Sequence, residues 1–177
     1  MNSHSGRPII PLPINPKSLG KVDILAPVTY QGEGFIGLQD LPRLHDECSK
    51  TQPTDGFHCA IQSHYEGEKP VMEIGLQGCM HLSCQRCLQP LLFELAQKKR
   101  FVFVETEEEA DEFPLDNEDE EAMVASHSFD LLEAIEDEIL LAIPYAPKHP
   151  TGECQLSHEE GGSDRQNPFK VLKSLKK

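Results

Sequence analysis

Along the middle of the chain apolar and polar residues alternate. Phe57, Cys59, Ile61 and Tyr65 take one parity, and His58, Ala60, Gln62 and His64 the other, which predicts a half-buried strand. The turn-like EGEKP leads into a second alternating run, with Met72, Ile74, Leu76, Met80 and Leu82 on one side and Glu73, Gln77 and His81 on the other. A third run follows: Leu91, Phe93 and Leu95, then Phe101 to Val104. The segment Cys84 to Cys87 joins the second and third runs, so it is expected in a hairpin turn at the tip of a sheet.

Beyond residue 130 the period lengthens to that of a helix. Leu131, Leu132, Ile135, Ile139, Ala142 and Ile143 form one stripe, whereas Glu133, Glu136 and Asp137 fall off it and read as solvated. Asp130 is a suitable N-cap with Glu133 three residues on, and Pro144 ends the run. The stripe is expected to lie on the inner face of the sheet. The N-terminal third reads as extended or irregular, with a short helix near Leu38 to Cys48 in which Pro42 suits the first turn. At the C-terminus Asn167 can cap a helix with Pro168 at its first position; Phe169, Val171, Leu172 and Leu175 then share one side. The expected fold is α+β: a small antiparallel sheet packed by one long helix, with a zinc-knuckle-like hairpin turn and a short C-terminal helix. Residues 1–56 form an extended segment with a short helix in the same domain. Residues 57–160 form the core, with an acidic insertion at 105–121, and residues 161–177 a linker and basic amphipathic helix.

With 177 residues the chain is long enough to bury a core without disulfide staples. It has no Trp and few Phe and Tyr, which argues against a broad aromatic platform for single-stranded nucleic acid. No stretch has the apolar length of a signal peptide or a membrane span, so a soluble, cytoplasmic protein is expected. The net charge of −14 is local in origin. Between Phe101 and Pro147 there are 16 acidic residues and no Lys or Arg, and residues 105–121 alone hold 11 of them. Such a run reads as a solvated insertion, and the overall balance argues against a general electrostatic grip on DNA or RNA, leaving local contacts through small basic patches.

Six cysteines in a reducing compartment are core residues or metal ligands more often than disulfides. A two-residue spacing lets Cys84 and Cys87 meet one ion from a tight turn, and His149 with Cys154, in a Pro-rich loop, could complete a tetrahedron for structural zinc. Cys79 and His81 are reserve ligands by proximity. Two other readings of the pair stay open: ordinary structural thiols, and thiol–disulfide chemistry. The last is disfavoured because redox CxxC pairs sit at a helix N-terminus, whereas strands flank this one.

Three motifs in order, CQRCLQPL at 84–91, DLLEAIEDEILLAIPYAPKHPTGEC at 130–154 and NPFKVLKSLKK at 167–177, closely resemble the YceD family, the large ribosomal RNA subunit accumulation proteins of bacteria and plastids. The resemblance covers most of 83–177 apart from the acidic insertion. It implies a non-enzymatic role in the synthesis, processing or stability of large-subunit (23S) ribosomal RNA. The expected partners are that RNA or its precursor particle, and a basic ribosomal protein. Arg86, Arg165, Lys170, Lys173, Lys176 and Lys177 are the expected contact residues. Two alternatives come from other classes: a thiol–disulfide oxidoreductase using Cys84 and Cys87, and an acidic adaptor that binds only a basic ribosomal protein.

Overall fold

Strands dominate because the period-two pattern is long and each turn suits its hairpin. The computed structural model describes residues 7–14, 19–49, 51–114 and 119–154. Strand β1 is Ile9–Pro11, β2 Lys21–Val22, β3 Thr29–Gly37, β4 Gly56–Glu66, β5 Lys69–Ser83, β6 Pro90–Val104, β7 Glu120–Val124 and β8 Phe129–Asp130. Helix α1 is Pro42–Glu47, preceded by a single 3-10 turn; α2 is Glu107–Asp111 and α3 is Leu131–Ala142. Six strands form one sheet in the order β1-β3-β4-β5-β6-β7, and β2 pairs with β8 in a separate two-stranded ribbon. Among the described residues no helix is long and apolar enough to cross a membrane.

The expectation of a small antiparallel sheet under one long helix is overturned. The sheet is large and mixed, since β1 runs parallel to β3 and β7 parallel to β6. Helix α3 has only 12 residues. The three central hairpin strands were foreseen, but β6 is one unbroken strand of 15 residues and pairs with β5 from Ser83↔Pro90 to Val71↔Val102. Its basic stretch continues the ladder because the charges are answered: Lys99 lies 3.5 Å from Glu121 and 3.6 Å from Glu138, and Arg100 pairs with Glu66 at 2.5 Å and with Glu120.

Residues opposite one another on antiparallel strands share a face. Ile36↔Phe57, Cys59↔Leu76, Ile61↔Ile74, Met72↔Phe101 and Met80↔Phe93 place their side chains on one side of the sheet. That side is the core, and α3 seals it with Leu131, Ile135 and Ile139, each fully buried. Burying side chains of this size contributes roughly 1.5–3 kcal/mol each. The opposite side is open at its centre, where His58, Ala60, Gln62, Gln77, Ala96 and Lys98 are exposed. The β4–β5 connection is a two-residue turn, and Gly67 supplies the left-handed φ of 64° there.

The helix boundaries follow the sequence signals. Asp130 caps α3, its Oδ1 accepting from the Glu133 N–H at 3.1 Å, and Pro42 stands at the first position of α1. Replacing Asp130 by Ala is expected to cost about 1 kcal/mol. Thermal unfolding should then show a melting point lower by about 2–4 °C; an unchanged one would remove the cap from the account.

Within the acidic insertion, residues 107–111 and 120–121 carry regular structure. Helix α2 opens on Thr106, whose hydroxyl accepts from the Glu109 N–H at 3.2 Å, and β7 begins at Glu120. Lys69 pairs with Glu109 at 2.5 Å. The expected C-terminal helix, and with it Arg165, Lys170, Lys173, Lys176 and Lys177, lies outside the described residues.

Candidate metal centre

Strands β5 and β6 project beyond their neighbours, and the turn that joins them carries Cys84 and Cys87. The Leu88 N–H donates to the Cys84 carbonyl at 2.8 Å and the Cys84 N–H to Gln89 at 3.0 Å, a turn tight enough to put Leu88 at a φ of 60°. A second segment reaches this tip from the end of α3. Pro144 stops the helix, and the following prolines restrict the backbone while the chain returns to the sheet. The Gln85 N–H donates to the Pro147 carbonyl at 2.8 Å, which fixes the segment against the turn. A last turn, with Glu153 N–H donating to Pro150 and Gly152 at a φ of 95°, then aims Cys154 inward.

The result brings together all four expected ligands. The donor atoms of Cys84, Cys87, His149 and Cys154 lie within 4.8 Å of one another. Cys84 Sγ is 3.7 Å from Cys154 Sγ, Cys87 Sγ is 3.4 Å from His149 Nδ1, and Cys154 Sγ is 3.8 Å from the same nitrogen. Zn–S bonds of about 2.3 Å and Zn–N bonds of about 2.0–2.1 Å in a tetrahedron imply S···S edges of about 3.8 Å and S···N edges of about 3.5 Å. The residues fit such an ion. His149 is oriented as a metal-bound imidazole would be: its Nε2–H donates to the Pro90 carbonyl at 3.0 Å, which leaves Nδ1 bare toward the sulfurs.

The electrostatics separate Cys84 from the core cysteines. Burial raises Cys59 to about 12; burial, then the charges of Asp55 and Glu47, raise Cys48 to about 11. Both are inert thiols at neutral pH. Cys84 moves the other way, to about 5: burial opposes its thiolate, but the backbone N–H groups of His149, Arg86 and Cys87 outweigh it. At Cys87 the Gln89 N–H favours the thiolate, yet burial and the neighbouring sulfurs of Cys154 and Cys84 leave it raised. Hydrogen bonds to Cys154 and Cys84 raise His149. One thiolate is thus favoured before any metal binds, and a cation is what would let the rest follow.

The reserve ligands do not join the centre. The ring of His81 faces Asp55, with Nδ1 at 2.9 Å from Oδ1, and Asp55 also accepts from the Gln52 N–H at 3.0 Å. That pair fastens the loop after α1 to β5. Arg86, the expected partner contact, is exposed and folds over the centre, its Nε donating to Cys154 Sγ at 2.8 Å. Sequence reasoning missed the carbonyl of Pro90 and the N–H groups around Cys84; backbone partners leave no residue-type signal.

Fold and site together define a sheet protein whose hairpin tip is clasped to a later loop by a three-cysteine, one-histidine cluster. The family of large ribosomal RNA subunit accumulation protein YceD matches residues 72–176, a span that contains all four residues of the cluster. A protein of Haemophilus influenzae named large ribosomal RNA subunit accumulation protein YceD is 31% identical over 155 residues, covering 81% of this chain and 86% of its own length. The chain belongs to the YceD family. No solved structure matches it.

Proposed function

We propose that this protein is a non-catalytic factor of the cytoplasm that promotes accumulation of large-subunit ribosomal RNA. In this reading it acts on the RNA or its precursor particle, and its hairpin tip is held rigid by one structural zinc ion. The observation that carries the reading is the convergence of four family-motif side chains on a single point at the sheet tip. Zinc suits the donor set because thiolates and imidazole satisfy it without redox change. When bound, the ion would cross-link two segments about 60 residues apart in sequence.

The adaptor alternative loses ground to the ion pairs. Glu109, Glu120 and Glu121 are already met by Lys69, Arg100 and Lys99, so part of the acidic segment serves the fold. Basic residues of the tail, Arg165, Lys170, Lys173, Lys176 and Lys177, are the proposed contacts with RNA, since none of the residues after Asp164 is acidic. Sedimentation of cell extracts at low and moderate salt tests this. Intact protein is expected with large-subunit precursors at low salt, and a chain lacking residues 167–177 is expected to associate more weakly and with a smaller salt dependence. Intact protein that stays at the top of the gradient at both salts, with no ribosomal component recovered by crosslinking, overturns the proposal.

A further inference from the structure

A long side chain in the middle of an exposed turn ordinarily points away from the protein; Arg86 stays exposed but turns one edge of its guanidinium back onto the later loop. Its Nε donates to Cys154 Sγ at 2.8 Å, and its Nη2 donates to the carbonyls of His149 at 3.2 Å and Pro150 at 3.4 Å. Three acceptors, all from the later loop, thus occupy one edge of a guanidinium that belongs to the earlier turn. We propose that Arg86 is a positioning residue of the metal centre: it locks residues 149–154 onto the Cys84–Cys87 turn and compensates the negative charge gathered at the cluster.

The chemistry that selects an arginine here is specific. Three thiolates and a neutral imidazole around a divalent cation leave one surplus negative charge, and the guanidinium stands against one of the three sulfurs. Its planar fork can donate to a sulfur and to carbonyls at once, which a lysine ammonium cannot do in a fixed geometry. The other tie between the segments near this point, Gln85 N–H to Pro147, lies before the two ligands of the loop, and His149 Nε2 to Pro90 holds only the first of them. Besides the thiol of Cys84, Arg86 is the side chain of the turn that reaches the second. Outer partners of this kind orient ligands and affect metal affinity by about 10–100-fold.

This inference rests on the zinc reading, and the experiment separates the two. Full-length wild type, Arg86→Met and Arg86→Lys are loaded with zinc and competed with a chromogenic chelator. The same proteins are loaded with cobalt(II), whose thiolate charge-transfer absorption reports hydrogen bonding to sulfur. Arg86→Met is expected to lose about 10–100-fold in zinc affinity and to shift the cobalt band to longer wavelength, since a sulfur without its donor is easier to oxidise. Arg86→Lys should lose less affinity and shift its band in the same direction, and it carries the comparison should the methionine variant fail to fold. Affinity within twofold of wild type overturns the inference and leaves the zinc reading standing. Lost affinity with an unmoved band assigns Arg86 to loop packing alone, and also overturns it. A folded wild type that binds neither metal overturns the zinc reading itself.

Discussion

Replacing Cys84 by serine is expected to abolish binding of one zinc ion per chain and to lower the melting temperature by an amount on the order of 10 °C relative to zinc-loaded wild type. Binding to the folded state alone stabilises by about 4 kcal/mol when free metal is about 1,000-fold above its dissociation constant. Serine leaves no thiolate at the one position that the backbone prepares for it, so three ligands remain around an open edge. The loop after α3 would then keep only its hydrogen bonds to the turn. Metal analysis of protein purified without chelator, paired with calorimetry of both proteins, checks the result. A metal-free wild type with the same melting point as Cys84→Ser sinks the claim. Acidification should reproduce the variant. Protons compete with the metal for His149 and the three sulfurs, so zinc is expected to be held at neutral pH and released on acidification, below the range in which the metal-free imidazole, raised by its hydrogen bonds to Cys154 and Cys84, titrates.

Some of this architecture is written locally in the chain, and some is not. The parity of Met72, Ile74, Leu76, Met80 and Leu82 survives intact because alternation is enforced residue by residue, and all five are buried. Helix α3 is legible for the same reason, with Asp130 at its start and Pro144 at its end. The extent of the sheet was hidden, because it depends on distant partners. Lys98, Lys99 and Arg100 look like the end of a strand until Glu66, Glu120, Glu121 and Glu138 come into reach. Strand β7 lies at the edge of the acidic run and pairs in parallel, for which no turn signal exists. At the site, the spacing of Cys84 and Cys87 announces a ligand pair. His149 and Cys154 are readable there only as candidates in a stiff Pro-rich loop; that they meet the pair is a fact of three dimensions. Glu136 shows the reverse error: placed off the apolar stripe, it reads as solvated, yet only 5% of its surface is accessible.

Glu136 is where that error has the largest energetic consequence. Helix α1 begins after Leu41, which offers no side-chain cap, and Pro42 has no N–H to satisfy. The next two donors are the N–H groups of Arg43 and Leu44, and both point at one carboxylate oxygen from α3: Glu136 Oε1 accepts from them at 2.7 and 3.1 Å. Helix α3 thus supplies, from 92 positions further along the chain, the cap that the local sequence lacks. The negative charge also suits the positive end of α1. Substitution by leucine keeps the volume and removes the acceptor, leaving both donors at the buried junction without a partner at roughly 1–3 kcal/mol each. Glu136→Leu is therefore expected to destabilise by about 2–4 kcal/mol in denaturant unfolding, although leucine is the more apolar side chain. Glu136→Gln, which retains a neutral acceptor, should lose less than half as much. Zinc content should be unchanged in both, because the α1–α3 junction does not contribute to the cluster at the β5–β6 tip. A leucine variant as stable as wild type would show that water reaches those two N–H groups and that apolar packing and the Arg43–Asp137 ion pair suffice to hold the α1–α3 junction.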